Sequence, residues 1–179
     1  WRWLWDCYAH KKEALMEWNL NFLAWKLQNP GKRSERILVL LSKYMGNGKT
    51  TYFHMLVAIF SSSLCAFWDN LDSFQDPFDY PTANKLWQFI DDCSMATKSQ
   101  CQRLNSRSTL TEKRFNQKHE KRVKLPVFDE IVITSNDRNP LYCDAHDRRQ
   151  LYLKISNAHT MDKAFFGKVY SEFKNQNVR

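Results

Sequence analysis

The sequence predicts an α/β fold, a parallel sheet flanked by helices and built around a phosphate-binding loop. Three observations predict it. Ile37 to Leu41 is an unbroken apolar run, the mark of a strand covered on both faces. Gly46, Gly48, Lys49 and Thr50 follow it directly, so that two of the chain's four glycines fall in this short stretch. Further on, LWQFIDD (86–92) and IVITSN (131–136) are apolar runs that end on acidic or polar residues. Parallel strands end this way where they deliver side chains to a ligand at their carboxyl ends.

A length of 179 residues suits one globular unit of the usual ~100–200, read as an N-terminal helical segment over 1–31 and a core over 32–179. The start at Trp1 rather than Met leads us to expect a piece of a longer protein. No apolar run approaches the ~18–20 residues that span a bilayer, and no charged-then-apolar leader is present. We therefore expect an intracellular, unsecreted protein with no membrane partner. Five cysteines, an odd number at irregular spacing, argue for reduced thiols over a disulfide scaffold. Cys93, Cys101, Cys143 and His146 offer soft metal ligands, but no CxxC pair anchors them.

Taken in order, Trp1 to Leu27 reads as helix, with Leu15, Trp18, Phe22 and Trp25 recurring at helical spacing; Asn29, Pro30 and Gly31 stop it. The tryptophans read as packing residues. A basic hinge, Lys32 to Arg36, leads into the first strand. In the loop that follows, Gly46, Asn47 and Gly48 let backbone N–H groups curl around a polyphosphate, Lys49 reaches the terminal phosphates, Thr50 offers a hydroxyl to Mg²⁺, and Thr51 continues into a helix ending at Ser61 to Ser63. Lys43 stands where this motif ordinarily has its first glycine. Leu64 to Trp68 is a second strand, and Asp69 to Pro81 is loop or broken helix with no assigned chemistry.

Leu86 to Asp92 places two carboxylates at a strand end: Asp91 suits the metal shell and Asp92 can polarise water. Ser94 to Ser106 reads as helix. Between Lys98 and Lys124 nine Lys or Arg face two acids, which is +7 of the chain's formal +8. Such a local excess is the footprint of a phosphate-backbone partner. Thr109 to Leu125 reads as a hairpin with Lys118 and His119 near its tip and Lys113, Lys121 and Arg122 as further nucleic-acid contacts. Asn136 ends the next strand, where its amide can orient a water or sense the terminal phosphate. Arg148 and Arg149 precede a strand at Leu151 to Ile155, hence at the sheet edge opposite Asp91, Asp92 and Asn136. A helical segment around Lys163 to Lys174 follows, and no lid is legible after Ile155.

The order of parts, QNP before a strand, GNGKTT, LWQFIDD, a basic hairpin, IVITSN, then DRR before a strand, resembles the superfamily 3 helicase core, in particular the helicase part of viral, phage and mobile-element primase-helicases. The resemblance runs from Leu20 to Ile155. It implies an AAA+ type P-loop ATPase, usually a hexameric homo-oligomeric ring, using ATP and Mg²⁺. Lys49 and Thr50 fall at Walker A, Asp91 and Asp92 at Walker B, Asn136 at the sensor, and Arg148 or Arg149 at the arginine finger. The expected function is an ATP-dependent DNA helicase motor that translocates on single-stranded or forked DNA during replication, next to a primase or polymerase module in the full-length protein. The alternative is a nucleic-acid-binding or assembly module whose loop is weak or inactive.

Overall fold

Ile37–Leu41 forms β1, and its alternation sends Leu38 and Leu40 into one buried cluster and Ile37 and Val39 into another, so the strand is covered on both faces. The computed structural model describes residues 1–142 and 147–176. The other strands are β2 (Cys65–Trp68), β3 (Trp87–Ile90), β4 (Glu112–Phe115), β5 (Val123–Pro126), β6 (Glu130–Ser135) and β7 (Gln150–Lys154). Five of them form one sheet in the order β2-β3-β6-β1-β7, with every pairing parallel. β1 is second from the edge and holds β6 and β7 in register, Val39 opposite Ile133 and Tyr152.

The helices are α1 (Glu13–Gln28), α2 (Lys49–Phe60), α3 (Leu71–Phe74), α4 (Lys98–Thr109) and α5 (Lys163–Gln176). Leu23 of α1, Tyr52, Met55, Leu56 and Phe60 of α2 and Val169 of α5 share a cluster with Leu38, Leu40, Phe89 and Val132 on one face of the sheet. On the other face, Leu71 and Phe74 of α3 and Cys101 and Leu104 of α4 pack on Ile37, Val39, Ile131 and Ile133. Each fully buried aliphatic or aromatic side chain contributes on the order of 1.5–3 kcal/mol. This is the α/β architecture expected, a parallel sheet flanked by helices.

The N-terminal helix is not continuous. Leu4–Tyr8 is a π-helical turn, the backbone then passes through positive φ at His10 (50°) and Lys11 (57°), and α1 begins only at Glu13. The reason is burial: Trp3, Leu4, Cys7 and Tyr8 are all within the core, and a straight helix cannot bring them and Leu23 to the sheet together. The break costs two left-handed backbone conformations at residues that disfavour them. It carries Tyr8 under the loop after β1. Trp18 and Phe22 stack at 5.4 Å, and Phe22 meets Trp87 edge-on, which makes them packing residues as expected. α4 starts at Lys98 rather than Ser94 because Thr97 and Gln100 form a reciprocal capping box.

β4 and β5 make the expected hairpin, antiparallel with Lys113 opposite Leu125. Its base lies at the strand-start edge of the sheet. Arg33, just before β1, donates to the carbonyls of Arg107 (2.7 Å) and Leu110 (2.9 Å), at the α4 end from which the hairpin departs. The segment from Asp69 to Pro81, unassigned in the sequence, braces it: Asp79 accepts the Asn116 N–H at 2.9 Å, Asn116 donates its amide to the Pro77 carbonyl at 3.0 Å, and Lys113 pairs with Asp79.

Beneath the hairpin base lies a buried ionic cluster that the helical pattern of α1 concealed. Lys26, fully buried, pairs with Glu130 at 3.5 Å and donates to the Lys32 and Phe128 carbonyls. Arg107 pairs with Asp129 at 2.7 Å, Arg33 approaches the same carboxylate at 3.4 Å, and Gln88 of β3 donates to it at 2.9 Å. Burial pulls the Lys26 ammonium down and pushes the Glu130 carboxyl up; their mutual attraction opposes both shifts, and the two bonds from Ser34 oppose that of Glu130. Removing one member strands its partner's charge in the core, a loss of roughly 3–5 kcal/mol.

Candidate nucleotide site and nucleic-acid face

The loop between β1 and α2 is organised by Ser42. Its hydroxyl donates to the Tyr44 carbonyl at 2.9 Å and accepts from the Tyr44 N–H at 3.1 Å and from the Asn47 amide. Positive φ falls on Gly46 (68°) and Gly48 (95°), and Lys43 is not among the positive-φ residues. The side chain that replaces the motif's first glycine therefore costs no left-handed backbone here. The two glycines are needed for space as well. A Cβ on Gly46 would lie 2.5 Å from the Met161 sulfur, and one on Gly48 would lie 2.7 and 2.9 Å from Phe166 ring carbons. From below, the Tyr8 hydroxyl donates to the Gly48 carbonyl at 2.6 Å. Burial holds that phenol far above its ordinary pKa, so it stays a neutral donor.

The strand ends bring the predicted residues to one cavity of about 450 Å³, lined by Gly46, Asn47, Gly48, Lys49, Thr50 and Thr51 of the loop and by Asp91, Asp92 and Asn136. Lys49 Nζ donates to Asn136 Oδ1 at 2.6 Å and approaches the Tyr44 carbonyl at 3.4 Å. Its ammonium lies below the ordinary lysine value because burial outweighs the upward pull of Asp91 and Asp92. Thr134, next to last in β6, ties the two acids together: its hydroxyl donates to Asp91 Oδ1 and accepts the Asp92 N–H at 3.1 Å. Asp92 is exposed and held at φ 47°. A divalent metal fits the donor set. The Thr50 hydroxyl and Asp91, whose Oδ2 stands outside the Thr134 bond, are hard oxygens of the kind Mg²⁺ takes when it keeps waters and phosphate oxygens around it.

The remaining wall was not legible in the sequence. Met161, Lys163, Phe166 and Tyr170 line the same cavity, the Met161 N–H donates to the Gly46 carbonyl at 2.8 Å, and the Tyr170 and Thr51 hydroxyls share a hydrogen bond of 3.0 Å. The segment after Ile155, in which no lid was expected, thus closes one side of the loop. The contact is long-range in sequence, and no local pattern signals it.

Arg148 and Arg149 are not brought to this cavity. The Ile37 N–H donates to the Arg149 carbonyl at 2.8 Å, which fixes Arg149 beside the start of β1, five residues or about 17 Å of strand from the loop. The Arg149 N–H donates to Asp147 at 2.9 Å, with the guanidinium 3.8 Å from that carboxylate. Cys143 and His146 lie outside the described residues. Cys93 and Cys101 are buried, and burial raises the Cys93 thiol to about 11.

On the hairpin, Lys118, His119, Lys121 and Arg122 are exposed around the turn, and among the described residues no carboxylate pairs with them. Lys113 differs, being partly covered and engaged by Asp79.

A sequence family described as a family of unknown function, DUF5906, matches residues 40–149. Two solved apo structures of the NrS-1 C-terminal region share the fold: one at TM-score 0.79 and 20% identity over 98% of this chain, the other at 0.81 and 21% over 97%. The chain spans only 41% and 42% of those two structures. No curated protein matches the sequence.

Proposed function

The chain belongs to the DUF5906 family, which carries no assigned function, and we propose that it is the motor domain of an ATP-dependent DNA helicase of the superfamily 3 type. The observation that carries the reading is the meeting of Lys49, Asp91, Asp92 and Asn136 at one cavity at the carboxyl edge of a parallel sheet, while a basic hairpin projects from the opposite edge. Neither half alone favours a motor over a nucleotide-binding or nucleic-acid-binding module; one sheet joining the two supports the motor reading.

In this reading the backbone of Gly46 to Gly48 and the positive end of α2 cradle the triphosphate, and Lys49 moves from Asn136 and Tyr44 to the β- and γ-phosphates. Thr50 and Asp91 would hold Mg²⁺, which supplies charge neutralisation on the phosphate oxygens. Asp92 accepts a proton from the attacking water as its oxygen bonds to the γ-phosphorus, and the bond to the β–γ bridging oxygen breaks to leave ADP and phosphate. The Asn136 amide orients that water. Arg148 or Arg149 acts on the nucleotide of an adjacent copy in a ring, hexameric in the superfamily it resembles, because its own phosphates lie at the far edge of the sheet. Lys118, His119, Lys121 and Arg122, with Lys113 supporting them from the hairpin base, grip single-stranded or forked DNA. Residues 1–31 brace a core over 32–179, and the domain works in replication beside a primase or polymerase module of a longer protein. Among the described residues no helix is long and apolar enough to cross a membrane, and we place the protein inside the cell.

The test is ATP turnover with and without single-stranded DNA, in wild type and in Lys49→Ala. DNA-stimulated turnover that Lys49→Ala abolishes, with circular dichroism unchanged, supports the motor. DNA binding with no turnover in wild type would return the chain to the alternative, a binding or assembly module with an inactive loop.

A further inference from the structure

A second cavity adjoins the nucleotide site, and Asn136 lines both. Its walls carry Lys43, Arg138 and Lys154, with Asp137 as the one acid among the described residues. The register of the sheet gathers these three cations. Leu41 of β1 lies opposite Ser135 of β6 on one side and opposite Lys154 of β7 on the other. Lys43, just past Leu41, and Arg138, just past Ser135, are thereby delivered beside Lys154 at the carboxyl edge. All three are exposed, and none pairs with a carboxylate among the described residues; the Lys43 ammonium lies 5.8 Å from the centre of the Tyr44 ring. Asp137 does not cancel them. Three cations against one carboxylate leave an excess of two positive charges, and that carboxylate also lies near enough to the Cys93 thiol to add to the rise that burial imposes there. Like charges held together in this way repel one another, and an anion between them relieves the repulsion.

Which anion follows from where the cavity lies. Lys49 Nζ donates to Asn136 Oδ1 at 2.6 Å, so one side chain is common to the lysine assigned to the terminal phosphates and to the basic cavity. The hairpin assigned to DNA springs from the other edge of the sheet, and β6 alone, Glu130–Ser135, puts roughly 16 Å of strand between them. The backbone phosphates of a bound strand are therefore the remoter source of an oxyanion, and the phosphate split from ATP is the nearer. Resting on the nucleotide reading of the site above, we propose that this cavity binds inorganic phosphate, the second product of hydrolysis, while ADP is still in place. Lys43, Arg138 and Lys154 are its ligands, donor-only cations facing an anion rich in acceptors. Asn136 is the wall shared with the reaction site. The side chain that replaces the motif's first glycine then serves the product rather than the nucleotide.

The experiment titrates inorganic phosphate calorimetrically into protein saturated with Mg²⁺ and ADP, in wild type and in Lys43→Ala, Arg138→Ala and Lys154→Ala. Wild type should bind phosphate. Each substitution should weaken that binding by about three- to tenfold, the effect of one partly exposed charged contact, while displacement of a fluorescent nucleotide by ADP stays within about twofold of wild type. Lys85→Ala removes a charge just before β3, at the opposite edge of the sheet, and should leave phosphate binding unchanged. Phosphate that does not bind ADP-loaded wild type, or that binds the three variants as tightly as wild type, overturns the proposal and leaves the motor reading standing. A single-stranded oligonucleotide that displaces phosphate, and whose own binding Arg138→Ala weakens to the same degree, would make the anion a strand phosphate and overturn it as well. If ADP does not displace the fluorescent nucleotide from wild type, the motor reading and this inference fall together.

Discussion

Gly48→Ala should destabilise the protein through two separable effects, one of which a second substitution can relieve. The first is backbone: at φ 95° an alanine occupies a region that its Cβ disfavours by roughly 1–2 kcal/mol. The second is contact: the new Cβ would lie 2.7 Å from one Phe166 ring carbon and 2.9 Å from another, a clash with a rigid ring that costs roughly 1–3 kcal/mol to relieve. The sum is about 2–5 kcal/mol, a large fraction of the stability of an ordinary domain. Phe166→Ala removes the obstructing ring and leaves φ untouched. In a double-mutant cycle by urea denaturation, the pair should therefore be less destabilised than the sum of the singles by about 1–3 kcal/mol, the contact part alone. Gly46→Ala is the control. Its neighbour is the sulfur of Met161, a side chain 67% exposed and free to swing away, so the same cycle with Met161→Ala should show almost no coupling. Additive behaviour of Gly48 and Phe166, or equal coupling in the two cycles, would show that the ring does not press on the loop.

The two acids should separate: Asp91→Asn weakens Mg²⁺-dependent nucleotide binding, whereas Asp92→Asn binds but hydrolyses poorly, and identical losses in a labelled-nucleotide titration would contradict that division. Binding to single-stranded DNA should weaken with salt at a log–log slope of about −0.7 per phosphate neutralised, and replacing Lys118 and His119 by Ala should flatten it; a salt-independent affinity would remove the hairpin from the interface. An Arg148→Ala, Arg149→Ala protein, inactive alone, should regain turnover when mixed with Lys49→Ala, and no rescue in mixtures shown by mass to co-assemble would argue against a shared site. Stability should also fall in alkali. Burial raises the thiols of Cys7 and Cys65 from 9.0 to about 12 and that of Cys93 to about 11, so between these limits the unfolded chain has lost protons that the folded one keeps. Their contribution is complete below pH 9 and is lost above it by about 1.4 kcal/mol per pH unit per thiol. Urea midpoints at pH 8, 9.5 and 10.5 should decline, less steeply in Cys7→Ala; a flat profile would mean the thiols are not held out of solvent.

What was legible in the sequence was what local pattern specifies. The runs Ile37 to Leu41 and Ile131 to Ser135 became strands buried on both faces, and Gly46 to Thr50 became the turn into α2. The break at His10 and Lys11 was not legible, because Leu15, Trp18 and Phe22 continue a helical period right up to it and the force that bends the chain is the burial of Tyr8 against Gly48. Lys26 sits in the helical stripe of α1, and its partner Glu130 lies over a hundred residues away. Met161 and Phe166 carry no signal of their own; only the missing Cβ atoms of two glycines explain why they fit. Asp79 looked like part of an acidic loop until the hairpin supplied Lys113 and Asn116.

The in-register pairing of β1 with β6, from Ile37 opposite Ile131 to Leu41 opposite Ser135, also constrains how the molecule can move. Both strands are covered on both faces, so a slip by one residue would exchange the side chains of the two clusters. The strands accordingly behave as stiff rods clamped along their length. A push on the Leu41 and Ser135 ends, beside the loop and Asn136, would therefore have no change of register to absorb it before the Ile37 and Ile131 ends, next to Arg33 and Asp129.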